Sequence, residues 1–138
     1  MSYSTKRFGI TYGGITARGL ASDVDIEWEL DADESTAYAD MRGEDGIIVH
    51  NNQTKGTARC TLQASSPTAA AWVTAYNLSK STGEDLPLLM YDRNKETAAV
   101  AFAQKATMKR TPKLARGSGE PRVEFEFAFP FCTPPLQV

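Results

Sequence analysis

The chain has 138 residues and a mass of 15.1 kDa; 41% of its residues are apolar, 23% are charged, and the formal net charge is −2. That size suits one domain with one core, and the balance is that of a globular chain rather than a disordered or collagenous one. No apolar run approaches the roughly 20 residues that cross a bilayer as a helix, and the opening Met-Ser-Tyr-Ser-Thr-Lys-Arg-Phe lacks the apolar stretch of a secretory signal, so cytosolic synthesis and no membrane partner are expected.

Arg7 to Leu20 reads as a short strand pair, with Phe8, Ile10 and Tyr12 alternating, Gly13-Gly14 turning the chain, and Ile15 to Arg18 returning. The stretch VDIEWEL follows as a strand with Val24, Ile26, Trp28 and Leu30 on one face and Asp25, Glu27 and Glu29 on the other. Those carboxylates form a ladder about 6.6 Å from one to the next, and no base within the stretch relieves their repulsion.

Asp31 to Gly56 is a long polar connection with Tyr38, Met41, Ile47, Ile48 and Val49 as its apolar anchors. A compact domain seldom keeps such a connection without a use. The cluster Arg42-Gly43-Glu44-Asp45-Gly46 marks a turn, which predicts a projecting β-hairpin with arms near Thr36–Arg42 and Ile47–Asn51.

Thr57 to Ala64 reads as a strand in which Ala58, Cys60 and Leu62 oppose Arg59, Thr61 and Gln63. The next segment predicts the one helix, over about 67–80: Ser66 suits the N-cap, Pro67 the first helical position, and Gly83 lies just past the end. Ala69, Trp72, Val73 and Tyr76 share a face of that helix, the pattern of packing on a sheet.

Leu86–Tyr91 and Thr97–Lys109 read as the arms of a further hairpin around Asp92 to Glu96. In the second arm, Ala98, Val100, Phe102, Ala106 and Met108 are expected on one face, with Ala99, Ala101 and Ala103 leaving the other low enough for another element to approach closely. Gly117-Ser118-Gly119 breaks the chain. EPRVEFEFAFPF closes it with Val123, Phe125, Phe127 and Phe129 backed by Arg122, Glu124 and Glu126. The sum is a single domain over 1–138, all-β with one α-helix, an antiparallel β-sandwich or partly open β-barrel of seven to nine strands with a flanking helix and a projecting hairpin over about 31–56.

Catalytic chemistry is hard to place on this chain. His50 is the only histidine, GGITARG lacks the Gly-Lys-Ser/Thr ending of a phosphate loop, and Cys60 and Cys132 form no C-x-x-C pattern and read as unpaired thiols. No enzyme activity, metal or cofactor is expected. Charge is nevertheless segregated: seven acids and no base from Asp23 to Glu34, five bases and no acid from Lys105 to Arg116. Such a division suggests complementary surfaces that meet within the chain or between copies. A nucleic-acid binder is an alternative, weakened by the net negative charge and by the lack of aromatics among the bases for stacking.

The order of elements, ADMRGEDGIIVHNNQTKGTARCTLQ, the helix opened by SSPTAAAW, the strand LPLLMYDRN and the closing KLARGSGEPRVEFEFAF resemble the tail tube proteins of contractile-tailed bacteriophages over approximately Ile10 to Phe129. The C-terminal CTPPLQV goes beyond that pattern. The resemblance implies hexameric rings that stack into the inner tube of a virion tail, a fold shared with tailocin and type VI secretion tubes. It also implies partners: other copies of the chain, a surrounding sheath, and baseplate and terminator proteins, with DNA passing through the tube without specific binding and assembly in the host cytoplasm. Six subunits giving about four strands each would close a barrel of about 24 strands, which at ~4.8 Å spacing and ~40° tilt has a backbone diameter of about 45–50 Å. Side chains narrow that by roughly 10 Å and still leave room for a duplex about 20 Å across.

On this reading Asp25, Glu27, Glu29, Glu124 and Glu126 are lumen candidates that repel phosphates, and Arg42, Glu44 and Asp45 form the tip of an inter-ring hairpin. Ala99, Ala101 and Ala103, with Lys105 and Lys109, are candidates for contact within a ring. A competing placement sets Asp25, Glu27 and Glu29 on a lateral or outer surface, against Lys105, Lys109 or Arg110 of a neighbour or against the surrounding sheath. The alternatives are a tube protein of a tailocin or type VI secretion system and, outside the tube family, a small monomeric β-sandwich binding module.

Overall fold

The computed structural model describes residues 8–21, 25–31, 33–94, 99–113, 119 and 121–133. Val24, Thr97, Ala98, Arg116 and the last five residues therefore lie outside the described residues. The described elements are β1 (Phe8–Tyr12), β2 (Ile15–Thr16), β3 (Glu27–Leu30), β4 (Ser35–Ala39), β5 (Gly46–His50), β6 (Gly56–Gln63), α1 (Pro67–Thr82), β7 (Leu86–Asp92), β8 (Ala99–Met108) and β9 (Arg122–Phe129). Every strand pairing among the described residues is antiparallel, and with α1 as their one helix the fold is all-β with a single helix.

Gly13 and Gly14 both have positive φ, at 60° and 83°, and Tyr12 faces Ile15 directly across the turn. This is the two-residue geometry whose twist suits a hairpin, and glycine adopts it without strain.

Seven strands form one sheet in the order β2-β1-β7-β8-β9-β6-β3. In a flat sheet β1 and β9 would stand about 14 Å apart, three strand spacings. Instead Ile10 and Tyr12 of β1 belong to the same buried cluster as Phe125 and Phe127 of β9, so the sheet rolls over on itself. Chain continuity brings its edges together. Just after β2, Gln63 N–H donates to Gly19 O at 2.7 Å and Ala21 N–H to Thr61 O at 3.0 Å, so the chain leaves one edge strand and at once runs along β6 toward the other. The sheet is rolled but not closed.

Helix α1 packs beside the β2 edge. The Ser66 hydroxyl accepts from Thr68 N–H at 3.2 Å, Pro67 occupies the first turn, and Gly83 ends the helix at φ 75°. Trp72 is fully buried: its indole N–H donates to Ile15 O at 2.9 Å, and its ring meets Phe125 and Phe127 edge-on at 5.1 and 5.4 Å. One side chain thus joins the helix, the β2 edge and the far half of the sheet, which is why Ala69, Trp72 and Tyr76 are buried as their helical spacing predicts.

Strand β8 departs from the expected alternation. Leu86 faces Ala106 and Leu88 faces Ala103, so two steps on β7 correspond to three on β8, a bulge that changes which face points inward. Ala101 and Ala103 are buried before it and Ala106 and Met108 after it, with Gln104 and Lys105 exposed between. Phe102, expected to share the face of Ala106 and Met108, lies on the opposite side and is half-buried. The low face at Ala101 and Ala103 is therefore covered within this chain rather than left open.

Candidate functional site

Two surfaces stand out. The first is the outer face of β3, β6 and β9, whose inner face is lined by Trp28, Ala58, Cys60, Leu62, Val123, Phe125, Phe127 and Phe129. Because side chains alternate along a strand, the residues between these point outward. Register then decides which outward groups meet. Glu27 faces Arg59, and Arg59 faces Glu126 on its other side. Beyond the end of β8, Lys109 N–H donates to Glu126 O at 3.0 Å, which sets Lys109 next in the row. Four charges of alternating sign, Glu27, Arg59, Glu126 and Lys109, thus cross four neighbouring chain segments.

Glu126 is the hub of this row. Lys109 Nζ lies 3.2 Å and Arg59 Nη2 3.3 Å from its Oε1, and Arg110 Nη2 lies 4.0 Å from its Oε2. Arg59 also reaches Glu27 at 3.9 Å. The hydrogen bond from Lys109, joined by that from Arg59, holds the Glu126 carboxyl below the ordinary glutamate range. Asp25, Thr61, Lys113 and Glu124 share the same shallow groove, of about 490 Å³. Glu29, in contrast, stands opposite Thr57.

The acids of VDIEWEL and of RVEFEF thus share one face, and bases do relieve them: Arg59 from the strand between, Lys109 and Arg110 from the end of β8. Sequence reading sets Arg59 on the outward side of its strand without revealing that acidic strands flank it. Lys109 is engaged within its own chain, and Lys105 Nζ lies 3.7 Å from Asp85. Ala99 is opposite Tyr91 in the register, whereas Ala101 and Ala103 lie in the core. Cys60 and Cys132 are free and buried, and burial pushes the Cys60 thiol up to about 12, which leaves it unreactive near neutrality.

The second surface is the hairpin of β4 and β5, a separate two-stranded sheet. Its base is fastened by Asp31 N–H to Lys55 O at 3.0 Å and Asn51 N–H to Glu34 O at 2.6 Å. Its tip is organised by Asp40, a residue the sequence reading passes over. One carboxylate oxygen of Asp40 accepts from Arg42 N–H at 3.1 Å and Glu44 N–H at 2.9 Å, and the Glu44 bond above all lowers the Asp40 pKa. Arg42, Glu44 and Asp45 are exposed at this tip.

The apolar residues of the hairpin are not part of the buried core among the described residues. Tyr38, Met41, Ile47, Ile48 and Val49 are all at least half exposed, Met41 fully, and they are five of the seven large exposed apolar residues among the described ones. Tyr38 faces Ile47, with Val49 two residues on, so these three share one face. A two-stranded ribbon is marginal in water by itself, and clustered exposed apolar groups mark an interaction surface.

No protein-family model matches the chain, and no curated protein does. Solved structures do match. The anti-feeding prophage cap, a tube-terminating cap, aligns with a TM-score of 0.57 at 13% identity over 96% of this chain and 90% of that one. The sheath/tube terminator of an extracellular contractile injection system, PVC, in its extended state, aligns with a TM-score of 0.57 at 11% identity over 96% of both chains. The chain shares its fold with tube terminators of contractile injection systems. At such low identity the likeness is one of fold.

Proposed function

We propose that this chain is a structural subunit of a contractile tail, assembling with copies of itself into a hexameric ring at or along the inner tube. The observation that carries the reading is the hairpin, whose Tyr38, Met41, Ile47, Ile48 and Val49 are all at least half exposed. Burying them against a neighbouring copy gives the ribbon the support it lacks alone. A head-to-tail contact of this kind closes into a ring when its rotation divides the circle. The fold likeness to two tube terminators supports the same setting and adds a second form of the reading, a ring that ends the tube rather than one that repeats along it.

In either form the outer face of β3, β6 and β9, with Asp25, Glu27, Glu29, Glu124 and Glu126, faces the lumen, and DNA passes it without specific binding. The sheath meets the outside of the ring, and baseplate or terminator proteins meet its ends. The role is structural and needs no cofactor. Negative-stain microscopy of the purified protein tests it: tubes support a tube subunit, isolated rings a terminator, and a chain that stays monomeric at high concentration overturns both. The lumen assignment has its own test, because particles carrying Glu27→Lys and Glu124→Lys should assemble yet eject DNA slowly. Normal ejection would remove that assignment.

A further inference from the structure

We infer that Glu126 masks a latent polyanion-binding patch, formed by Arg59, Lys109, Arg110 and Lys113 on the outer face of β6, β9 and the segment after β8. Three of these cations lie within 4.0 Å of one carboxylate. Lys113 lines the same groove as Arg59, Arg110 and Glu126. Like charges gathered this closely repel one another, and the carboxylate among them is what makes the arrangement favourable. Glu126 is also the least exposed member of the cluster, at 26% against 41% for Lys109, 53% for Arg59 and 80% for Arg110, so the cations are more open to solvent than the carboxylate they share.

A phosphate diester carries the same charge as that carboxylate and offers acceptor oxygens to the same guanidinium and ammonium groups. Against the native chain a phosphate gains little. Arg59, Lys109 and Arg110 are already paired with Glu126, and Asp25, Glu27 and Glu124 around them repel it. Affinity for DNA rests largely on cations that exchange their counterions for phosphates, and here an internal acid takes that place. In and beside this groove Asp25, Glu27, Glu124 and Glu126 stand against Arg59, Lys109, Arg110 and Lys113, so its centre is electrically balanced rather than strongly anionic. Removing Glu126 leaves a cationic excess at its centre.

The inference deepens the conduit reading, since a wall of balanced charge neither grips DNA nor holds it far off, but it is tested without assembly. Binding of a short DNA duplex is measured by fluorescence anisotropy across a salt series for the native chain, Glu126→Gln, Glu84→Gln, and Glu126→Gln combined with Lys109→Gln and Arg110→Gln. Glu84→Gln changes net charge equally at an exposed position away from the cluster. Glu126→Gln is expected to bind at least about tenfold more tightly at low salt, with a log–log salt slope steeper by about 2 to 3, as for three released cations. Glu84→Gln and the triple variant should bind as weakly as the native chain.

The inference is overturned if a folded Glu126→Gln, verified by its thermal transition, binds no better than native. It is overturned equally if Glu84→Gln gains as much, or if the triple variant keeps the gain. A chain that forms no rings yet unmasks DNA binding on Glu126→Gln would sink the ring reading and leave this one standing.

Discussion

Tyr12 and Phe127 meet with ring centroids 4.8 Å apart although β7 and β8 lie between their strands in the sheet. The contact spans the inside of the rolled sheet. Phe127 also meets Trp72 of the helix at 5.4 Å and Phe125 at 6.2 Å, and no part of it is exposed. Phe127→Ala therefore opens a cavity where both halves of the sheet and the helix converge, with an expected loss of about 3–5 kcal/mol. Urea denaturation should show this as a lower midpoint at unchanged slope. A loss below about 1 kcal/mol would mean that the halves do not pack through this residue.

Tyr12 carries a cost of its own. Its hydroxyl is buried, finds no hydrogen-bond partner among the described residues, and has its pKa pushed up to about 12, first by burial and then by Tyr76. A buried hydroxyl without a partner loses its hydration and gains nothing in return. Tyr12→Phe keeps the ring and removes that penalty, so it should leave stability unchanged or raise it by about 1 kcal/mol. A clear loss in the same denaturation assay would show that the hydroxyl is satisfied.

What the sequence reveals here is what short range determines. Ser66-Pro67 starts the helix and Gly83 stops it, each through the chemistry of adjacent backbone groups. Gly13-Gly14 turns the first hairpin, and the alternation of Val123, Phe125, Phe127 and Phe129 fixes the buried face of β9. The bulge near Gln104 and Lys105 is set by pairing with β7, and its extra residue puts Phe102 on the face opposite Ala106 and Met108, where simple alternation expects them together. The charged site divides the same way. Alternation places Glu27, Arg59 and Glu126 outward, but their meeting depends on strand order, since Arg59 and Glu126 are 67 residues apart. Nor does local composition reveal that the hairpin's apolar residues stay uncovered, because that depends on what lies around them.

The row centred on Glu126 gives stability a specific response to acid. Its carboxyl titrates below the ordinary value of 4.5 because Lys109 and Arg59 favour the charged form. A depressed folded-state pKa means that the stabilisation is present above the ordinary value and is lost as pH falls through the depressed one. The cluster is solvent-exposed in large part, so the effect is small, about 0.2–1 kcal/mol. Glu126→Gln should be less stable than the native chain by that amount at pH 7, and the gap should narrow as the pH falls below the ordinary glutamate value and through the depressed one. A gap that stays constant down to the acid unfolding transition would assign the difference to packing rather than to charge.

The hairpin allows assembly to be separated from folding. Tyr38, Ile47 and Val49 share one exposed face outside the buried cluster of the described residues, so Tyr38→Ser with Ile47→Asp should change the stability of the chain by less than about 0.5 kcal/mol. Their loss should matter only where a neighbour covers them. Sedimentation velocity should then show the native chain as rings and the variant, under the same conditions, as a folded monomer. The tip has a different consequence, because Asp40 holds Arg42 and Glu44 in a defined turn that projects beyond those apolar residues. Deleting Gly43 to Gly46 destroys that turn while sparing β4 and most of β5, and should leave rings that fail to stack. If the apolar variant assembles as the native chain does, the hairpin face is not the joint. If the deletion yields intact tubes, the tip plays no part in stacking.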